Sequence, residues 1–161
     1  MRYIKGKEEQ EAISHMNKAA EIALKATCRR AKCGTVIVNG NEIICLGFNS
    51  PPGEIKSQRR CGCSKDSYHK KVTDKTCCTH AEQRAIFDAL KRNSSKINGS
   101  KLYFIRIDEK GNKTFAGKPY CTMCSKSALD AGVKEFILWH DNGICSYDTE
   151  EYNKKSFEYK E

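Results

Sequence analysis

Two short motifs constrain this chain more than any other feature. The first is His80-Ala81-Glu82, and the second is Pro119-Tyr120-Cys121-Thr122-Met123-Cys124. An imidazole and two thiolates are zinc ligands, and a catalytic zinc keeps its fourth position open, so three protein ligands are the expected number. The carboxylate of Glu82 then remains free to move protons. The motifs predict a zinc site that activates water, with His80, Cys121 and Cys124 as ligands and Glu82 as the catalytic acid/base.

Both motifs fall where helices are expected to begin. Residues 79–90 carry apolar side chains at helical spacing, and residues 124–132 indicate a second helix that ends at Gly132. Sulfurs three residues apart, as in Cys121 and Cys124, lie on one side of a helical turn and can face one ion. The alternative is a structural zinc knuckle, but four ligands would close such a site and it would not need Glu82.

Further residues give the chain a resemblance to a known family. The pattern H-x-E…P-C-x-x-C is that of the zinc nucleobase deaminases. Residues 26–38, followed by Gly47-Phe48-Asn49, look like the corresponding stretch of the deoxycytidylate deaminases, and the resemblance covers residues 26–139. It implies a cytidine deaminase-like three-layer α/β fold, a central mixed sheet with helices on both faces. It also implies Asn49 on the sugar and Arg30 on the phosphate.

Three more residues are candidate substrate contacts. Phe48 and Tyr120 flank the site and are expected to stack on a base, and Ala81 lies between the metal ligand and the acid/base. The chain also departs from the family pattern beside the metal. Tyr120 separates Pro119 from the first zinc cysteine, and a charged insertion, residues 108–118, precedes the second motif.

The expected reaction is attack of activated water on C4 of a cytosine nucleotide or nucleoside. The simplest substrate is deoxycytidylate, which would give deoxyuridylate and ammonia. One alternative is a deaminase that acts on RNA, on single-stranded DNA or on another aminated base. Another is a catalytically inactive, zinc-stabilised nucleic-acid-binding module, which the intact Glu82 disfavours because binding alone does not require that carboxylate.

Residues 51–79 form a long connection rich in cysteine and basic residues. A loop of that length needs something to order it. A second, structural zinc would do so, as the resemblance to deoxycytidylate deaminases also suggests. Its candidate ligands are Cys61, Cys63, Cys77, Cys78 and His69, with Cys28 as a further one. One alternative is that these are free thiols on a flexible flap, and another is that Cys77 and Cys78 only pack beside the active site.

The positive charge of the chain bears on its partners. The formal net charge is +9, and residues 56–75 are strongly basic. Such a surface attracts a nucleotide phosphate and equally the backbone of a nucleic acid, although a solvated charged face is the simplest reading for any single lysine. Tyr68 is the one aromatic residue in that stretch, which favours a small-molecule nucleotide over a polymer.

Composition and length set the remaining expectations. The 161 residues are expected to form a single domain, 1–161, with no membrane partner, because no apolar run could span a bilayer. The chain does not start like a signal peptide, so its ten cysteines indicate reduced thiols and metal, and a cytoplasmic protein. The family resemblance suggests a homo-oligomer.

The order of elements follows from the apolar pattern. Helices are predicted over residues 8–26 and 149–159, in addition to the two that carry the motifs. Strands are predicted at 36–38 and 42–47, joined by a tight Asn-Gly turn, and at 101–107 and 135–139. A helix between the last two strands makes a crossover, so those strands should be parallel.

Overall fold

The computed structural model describes residues 1–160, whose strands form one mixed sheet. The strand order is β1-β7-β6-β4-β2-β3, and β5 is added to β4. The strands are β1 (Arg2–Tyr3), β2 (Lys32–Asn39), β3 (Glu42–Phe48), β4 (Lys101–Ile107), β5 (Lys113–Thr114), β6 (Glu135–His140) and β7 (Gly143–Asp148). The helices are α1 (Gly6–Ala23), α2 (Ala81–Arg92), α3 (Thr122–Asp130) and α4 (Thr149–Phe157).

The predicted connections are confirmed. Strands β4 and β6 are parallel, with α3 in the crossover between them. Strands β2 and β3 form the predicted antiparallel hairpin, and Gly40 in its turn has a φ of 58°, a value that glycine adopts without strain. Among the described residues, the other strand pairings are antiparallel.

Helices cover both faces of the sheet, as the predicted three-layer α/β fold requires. Side chains alternate along β4: Tyr103 and Ile105 pack with the buried residues of α1, whereas Leu102 and Phe104 pack with those of α2 on the other face. Helices α3 and α4 contribute to this second core as well, through Ala128 and Tyr152 among others. The fold therefore buries the first turns of α2 and α3 on the same side of the sheet.

Three strands were not predicted from the sequence. Strand β7 follows β6 directly as a hairpin, and β1 pairs with its outer edge. The charged insertion at residues 108–118 contains β5, which extends the sheet beside Arg106. Residues 51–79 hold three single 3-10 turns, Pro52–Glu54, Lys56–Gln58 and Lys65–Ser67.

Among the described helices, none combines the length and the apolar character needed to cross a membrane.

Candidate metal centre and active site

The metal motifs lie at the N-terminal ends of two helices. His80 immediately precedes α2, and Cys121 precedes α3, where its Sγ accepts a hydrogen bond from the backbone N–H of Cys124 at 3.2 Å. The start of α2 is tied to the end of β3, because the N–H of Thr79 donates to the carbonyl of Ser50 at 3.0 Å. The two motifs, which are far apart in the sequence, thus meet at the N-terminal ends of two helices. The partial positive charge of these ends stabilises the ionised form of the cysteines.

His80, Cys121 and Cys124 form a three-ligand group. The imidazole Nδ1 of His80 lies 3.3 Å from Sγ of Cys121 and 3.3 Å from Sγ of Cys124. Ligands of a tetrahedral zinc at ordinary bond lengths are about 3.6 Å apart, so the three atoms are spaced to hold one such ion. Both cysteines are buried and neither forms a disulfide. The donor set fits zinc and leaves one coordination position without a protein ligand.

The electrostatics of this group favour metal binding. Hydrogen bonds from Cys124 and then from His80 lower the pKa of Cys121 to about 5 despite its burial. The hydrogen bond to Cys121 raises the pKa of His80 to about 9. When Cys121 is ionised, the thiol of Cys124 keeps its proton. The hydrogen bond to Cys121 and burial both raise the pKa of Cys124. A cation at the centre would replace these shared protons, since thiolate is the form that binds a metal.

Glu82 lies on the first turn of α2, two residues after the predicted ligand His80. Its side chain is 5% exposed, and burial raises the pKa of its carboxyl to about 7 against the opposing charge of His80. A carboxyl group that titrates near neutrality can both accept a proton and return it. The group is therefore suited to proton transfer beside the metal.

A cavity of about 230 Å³ opens over His80 and Glu82. Its walls include Asn49, whose side-chain Oδ1 accepts from the N–H of Cys33 at 2.9 Å and whose Nδ2 donates to the carbonyl of Ala31 at 2.9 Å. One N–H of this amide remains for a ligand. The amide is thus held by the start of β2 and keeps one donor without a partner among the described residues.

The predicted substrate residues are distributed unevenly around this cavity. Arg30, Asn49, Ala81 and Tyr120 line it, and Tyr120 is 45% exposed. Phe48 does not line it, which corrects the expectation that its ring stacks on a base there. Phe48 borders a different depression, which Phe87 of α2 also lines. It lies instead beneath the guanidinium of Arg84, at 5.7 Å.

The cavity also has walls that the sequence did not single out. These are Ala31, Cys33, Lys65, Thr76 and Phe104. The sequence predicts Phe104 and Cys33 to be ordinary buried residues of strands. Only the register of β2 with β4 brings them to the cavity. Lys65 belongs to a run of similar basic residues, and no local signal distinguishes it from its neighbours.

Four cysteines gather at a second point of the same cavity. Sulfurs of Cys28, Cys61 and Cys78 all lie within 4.8 Å of one another, and Sγ of Cys77 is 3.2 Å from Sγ of Cys61. We call Cys28, Cys61, Cys77 and Cys78 the four-cysteine cluster. The neighbouring N–H of Arg29 and the other thiols lower the pKa of Cys61 to about 7, although its partial burial opposes this.

Two of the predicted ligands for a second metal lie outside this cluster. Cys63 is exposed, and the Nδ1 of His69 accepts from the N–H of Lys71 at 3.2 Å. A short 3-10 turn, Lys65–Ser67, lies between these two residues in the sequence. Cys28, which the sequence offered only as a further candidate, belongs to the group instead. Its segment is held against the loop, because the guanidinium of Arg59 donates to the carbonyl of Thr27 at 2.6 Å.

Comparisons with known proteins agree with this geometry. The family model described as the cytidine and deoxycytidylate deaminase zinc-binding region matches residues 9–140. A deoxycytidylate deaminase of Schizosaccharomyces pombe is 27% identical over 128 residues, which are 78% of this chain and 35% of that relative. The chain thus spans about a third of the length of this curated relative.

Solved structures show similar folds. One is the dCMP deaminase from the cyanophage S-TIM5 in complex with dCMP and dUMP, with a TM-score of 0.54 and 25% identity over 83% of this chain and 82% of that one. Another is a cytidine deaminase from Burkholderia pseudomallei, with a TM-score of 0.56 and 16% identity over 87% and 94% of the two chains. The second likeness concerns the fold alone.

Proposed function

Because this chain belongs to the cytidine and deoxycytidylate deaminase family, we propose that it is a zinc-dependent hydrolase that deaminates a cytosine nucleotide. The reaction assigned to it is conversion of dCMP to dUMP with release of ammonia. The observation that carries the proposal is the buried carboxyl of Glu82, two residues from His80 and open to the cavity beside the ligand group. The deoxycytidylate deaminase relative and the S-TIM5 enzyme support the choice of substrate.

The chemistry follows from the residues around the cavity. Zinc held by His80, Cys121 and Cys124 would make a water molecule acidic enough to react near neutral pH. The carboxylate of Glu82 accepts a proton from the attacking water and delivers it to the ring nitrogen of cytosine. A C–O bond forms at C4. Glu82 then takes the proton of the new C4 hydroxyl group and passes it to the amine, and the C4–N bond breaks as the C4 carbonyl forms. Water and the cytosine ring thereby become uracil and ammonia.

Arg30 is the basis for proposing a nucleotide rather than a nucleoside as the substrate. This residue lines the cavity, makes no ion pair among the described residues, and lies at the position that the family resemblance gives to a phosphate ligand. Its guanidinium is 3.4 Å from the carbonyl of Cys63, so most of its donors remain available. A guanidinium is well matched to phosphate because it presents paired donors in a fixed plane.

Ammonia release from a panel of ligands tests this assignment. The panel contains deoxycytidine, dCMP and a cytosine-containing oligonucleotide, and we expect dCMP to be preferred. Arg30→Ala should lower kcat/KM for dCMP by roughly 10- to 150-fold, the loss of one charge-assisted phosphate contact, and leave deoxycytidine turnover nearly unchanged. Lys113→Ala, which removes a charge bonded to Asn17 on the other face of the sheet, is the matched control. Turnover of the oligonucleotide alone would contradict the proposal.

We further propose that the four-cysteine cluster holds a second, structural zinc. Its support is the mutual approach of Cys28, Cys61 and Cys78 in a loop that contains only single-turn helices. Metal analysis should find two zinc ions per chain, and one after Cys28→Ser. Cys63→Ser is the matched control and should keep two, because its side chain is exposed and outside the group. Loss of the metal in the control, and not in Cys28→Ser, would contradict this ligand set.

Finally, we propose that the chain associates with copies of itself through the outer face of α2. Phe87 and Leu90, three residues apart on this helix, are 48% and 45% exposed, and Phe87 borders a depression shared with Leu46 and Phe48. Analytical ultracentrifugation should give a molecular mass larger than that of one chain. The Phe87→Ser substitution should lower that mass. Phe157→Ser, at an exposed phenylalanine of α4, should not change it. A monomer in both the unaltered protein and the control would refute self-association.

A further inference from the structure

A cationic groove adjoins the active-site cavity. Its volume is about 490 Å³, and its walls include the basic residues Arg29, Arg30, Lys32 and Arg106. Arg30, together with Cys28 and Ala31, lines both the groove and the active-site cavity. Arg30 therefore stands where the two spaces meet, and a ligand bound at this residue has the groove directly beyond it.

The positive charge of this groove is only partly offset by the protein. Within residues 1–160, none of its four basic residues makes an ion pair. The walls also carry two acidic residues, Asp108 and Glu109, so they are positive on balance. The carboxylate of Asp108 accepts from the N–H groups of Lys110 and Asn112 within its own turn. Unpaired cations in a concave surface attract an anion.

The strand register sets Arg106 on the catalytic side of the sheet. Arg106 of β4 is paired with Cys33 of β2, and side chains of directly paired residues project to the same face. Cys33 lines the cavity that contains Glu82. On its other side, Arg106 is paired with Thr114 of β5, which is part of the charged insertion and also lines the groove. The insertion thus completes a wall that β4 alone would leave open.

Resting on the proposed function, we propose that this groove binds a second phosphate joined to the one at Arg30. A cytosine nucleoside diphosphate or triphosphate then binds more tightly than the monophosphate, with its outer phosphate between Arg30 and Arg106. None of the residues that line the groove is aromatic. Surfaces that bind single-stranded nucleic acid stack bases on aromatic side chains, so the groove suits a free nucleotide better than a polymer.

Calorimetric titration of zinc-loaded Glu82→Gln protein tests the groove without consuming the ligand. The ligands are dCMP, dCDP and the 5′-phosphorylated dinucleotide pdTpdC, in which a nucleoside separates the two phosphates. We expect dCDP to bind about 10-fold more tightly than dCMP, the gain of one charge-assisted contact. Arg106→Ala in the same background should bring that ratio close to one. Lys113→Ala, in the neighbouring strand but bonded to Asn17 of α1, should keep it.

Equal affinities for dCMP and dCDP, or an unchanged preference in the Arg106→Ala protein, would overturn the proposal that the groove binds a second phosphate. Tighter binding of pdTpdC than of dCDP would overturn it as well, because the groove would then follow a polymer backbone. A failure of the proposed function is a separate result, namely no ammonia release by the unaltered protein. The ratio of the two affinities does not depend on turnover, so the two failures are distinguishable.

Discussion

Replacement of Gly47 by alanine should damage the active site without touching any of its side chains. Gly47 lies on β3 against the first turn of α2, and a Cβ atom there would be 2.2 Å from the carbonyl oxygen of Ala81 and 2.6 Å from the N–H nitrogen of Ala85. Both neighbours are backbone atoms of a helix and cannot rotate away. Restoring an ordinary contact requires α2 to move by about 1 Å, with His80 and Glu82 on it, because packed interiors leave no free space.

Two quantities follow from that displacement. Overpacking of this kind costs about 1–3 kcal/mol in the free energy of unfolding. A shift of about 1 Å in a catalytic group lowers turnover by roughly 10²-fold. Urea unfolding and ammonia release from dCMP measure the two effects. Gly62→Ala is the matched control, since a Cβ at Gly62 meets nothing within 4 Å. Unchanged stability and turnover in Gly47→Ala would refute the view that close packing of α2 on β3 positions the site.

Three other substitutions concern the metal, the cavity wall and a surface ion pair. Cys124→Ala should remove one equivalent of zinc and lower the melting temperature, because the energy of metal binding is also folding energy; retained zinc would contradict the ligand assignment. Asn49→Ala breaks one buried and one partly buried hydrogen bond and should cost about 1–3 kcal/mol of stability in urea unfolding, whereas an unchanged midpoint would contradict this. Hydrogen bonding to Arg2 lowers the pKa of Glu8 from 4.5 to about 2, so its stabilisation is present above pH 4.5 and is lost as the pH falls through 2. Because the pair is partly exposed, that loss should be at most about 1 kcal/mol, and Arg2→Ala should reduce it.

Much of the fold was predictable because the metal ligands demand it. Three ligands can meet at one ion only if the helices after His80 and before Gly132 begin side by side, and α2 and α3 do so. The parallel pairing of β4 with β6 followed from the intervening helix. Strand β7 was missed because Gly143 to Asp148 mixes polar and apolar residues without the alternation of a half-buried strand.

The walls of the site were less predictable, because they depend on long-range register. Cys33 and Phe104 gain their places in the cavity from the pairing of β2 with β4, which no local pattern encodes. Phe48 was misplaced because its position next to Asn49 in the sequence does not show that its ring lies beside Arg84. In the cysteine-rich loop, the number of sulfurs suggested a cluster, but spacing alone did not distinguish Cys63 from Cys28 as a member.

The central claim is that Glu82 moves the proton at a site whose metal is held by other residues. Replacement of Glu82 by glutamine preserves the size of the side chain and removes its ability to accept a proton. Zinc content and dCMP turnover, measured on the same preparation, test the claim most directly. We expect the zinc content of the unaltered protein to be retained while kcat falls by roughly 10²-fold or more. Turnover close to that of the unaltered protein, with zinc still bound, would contradict the account.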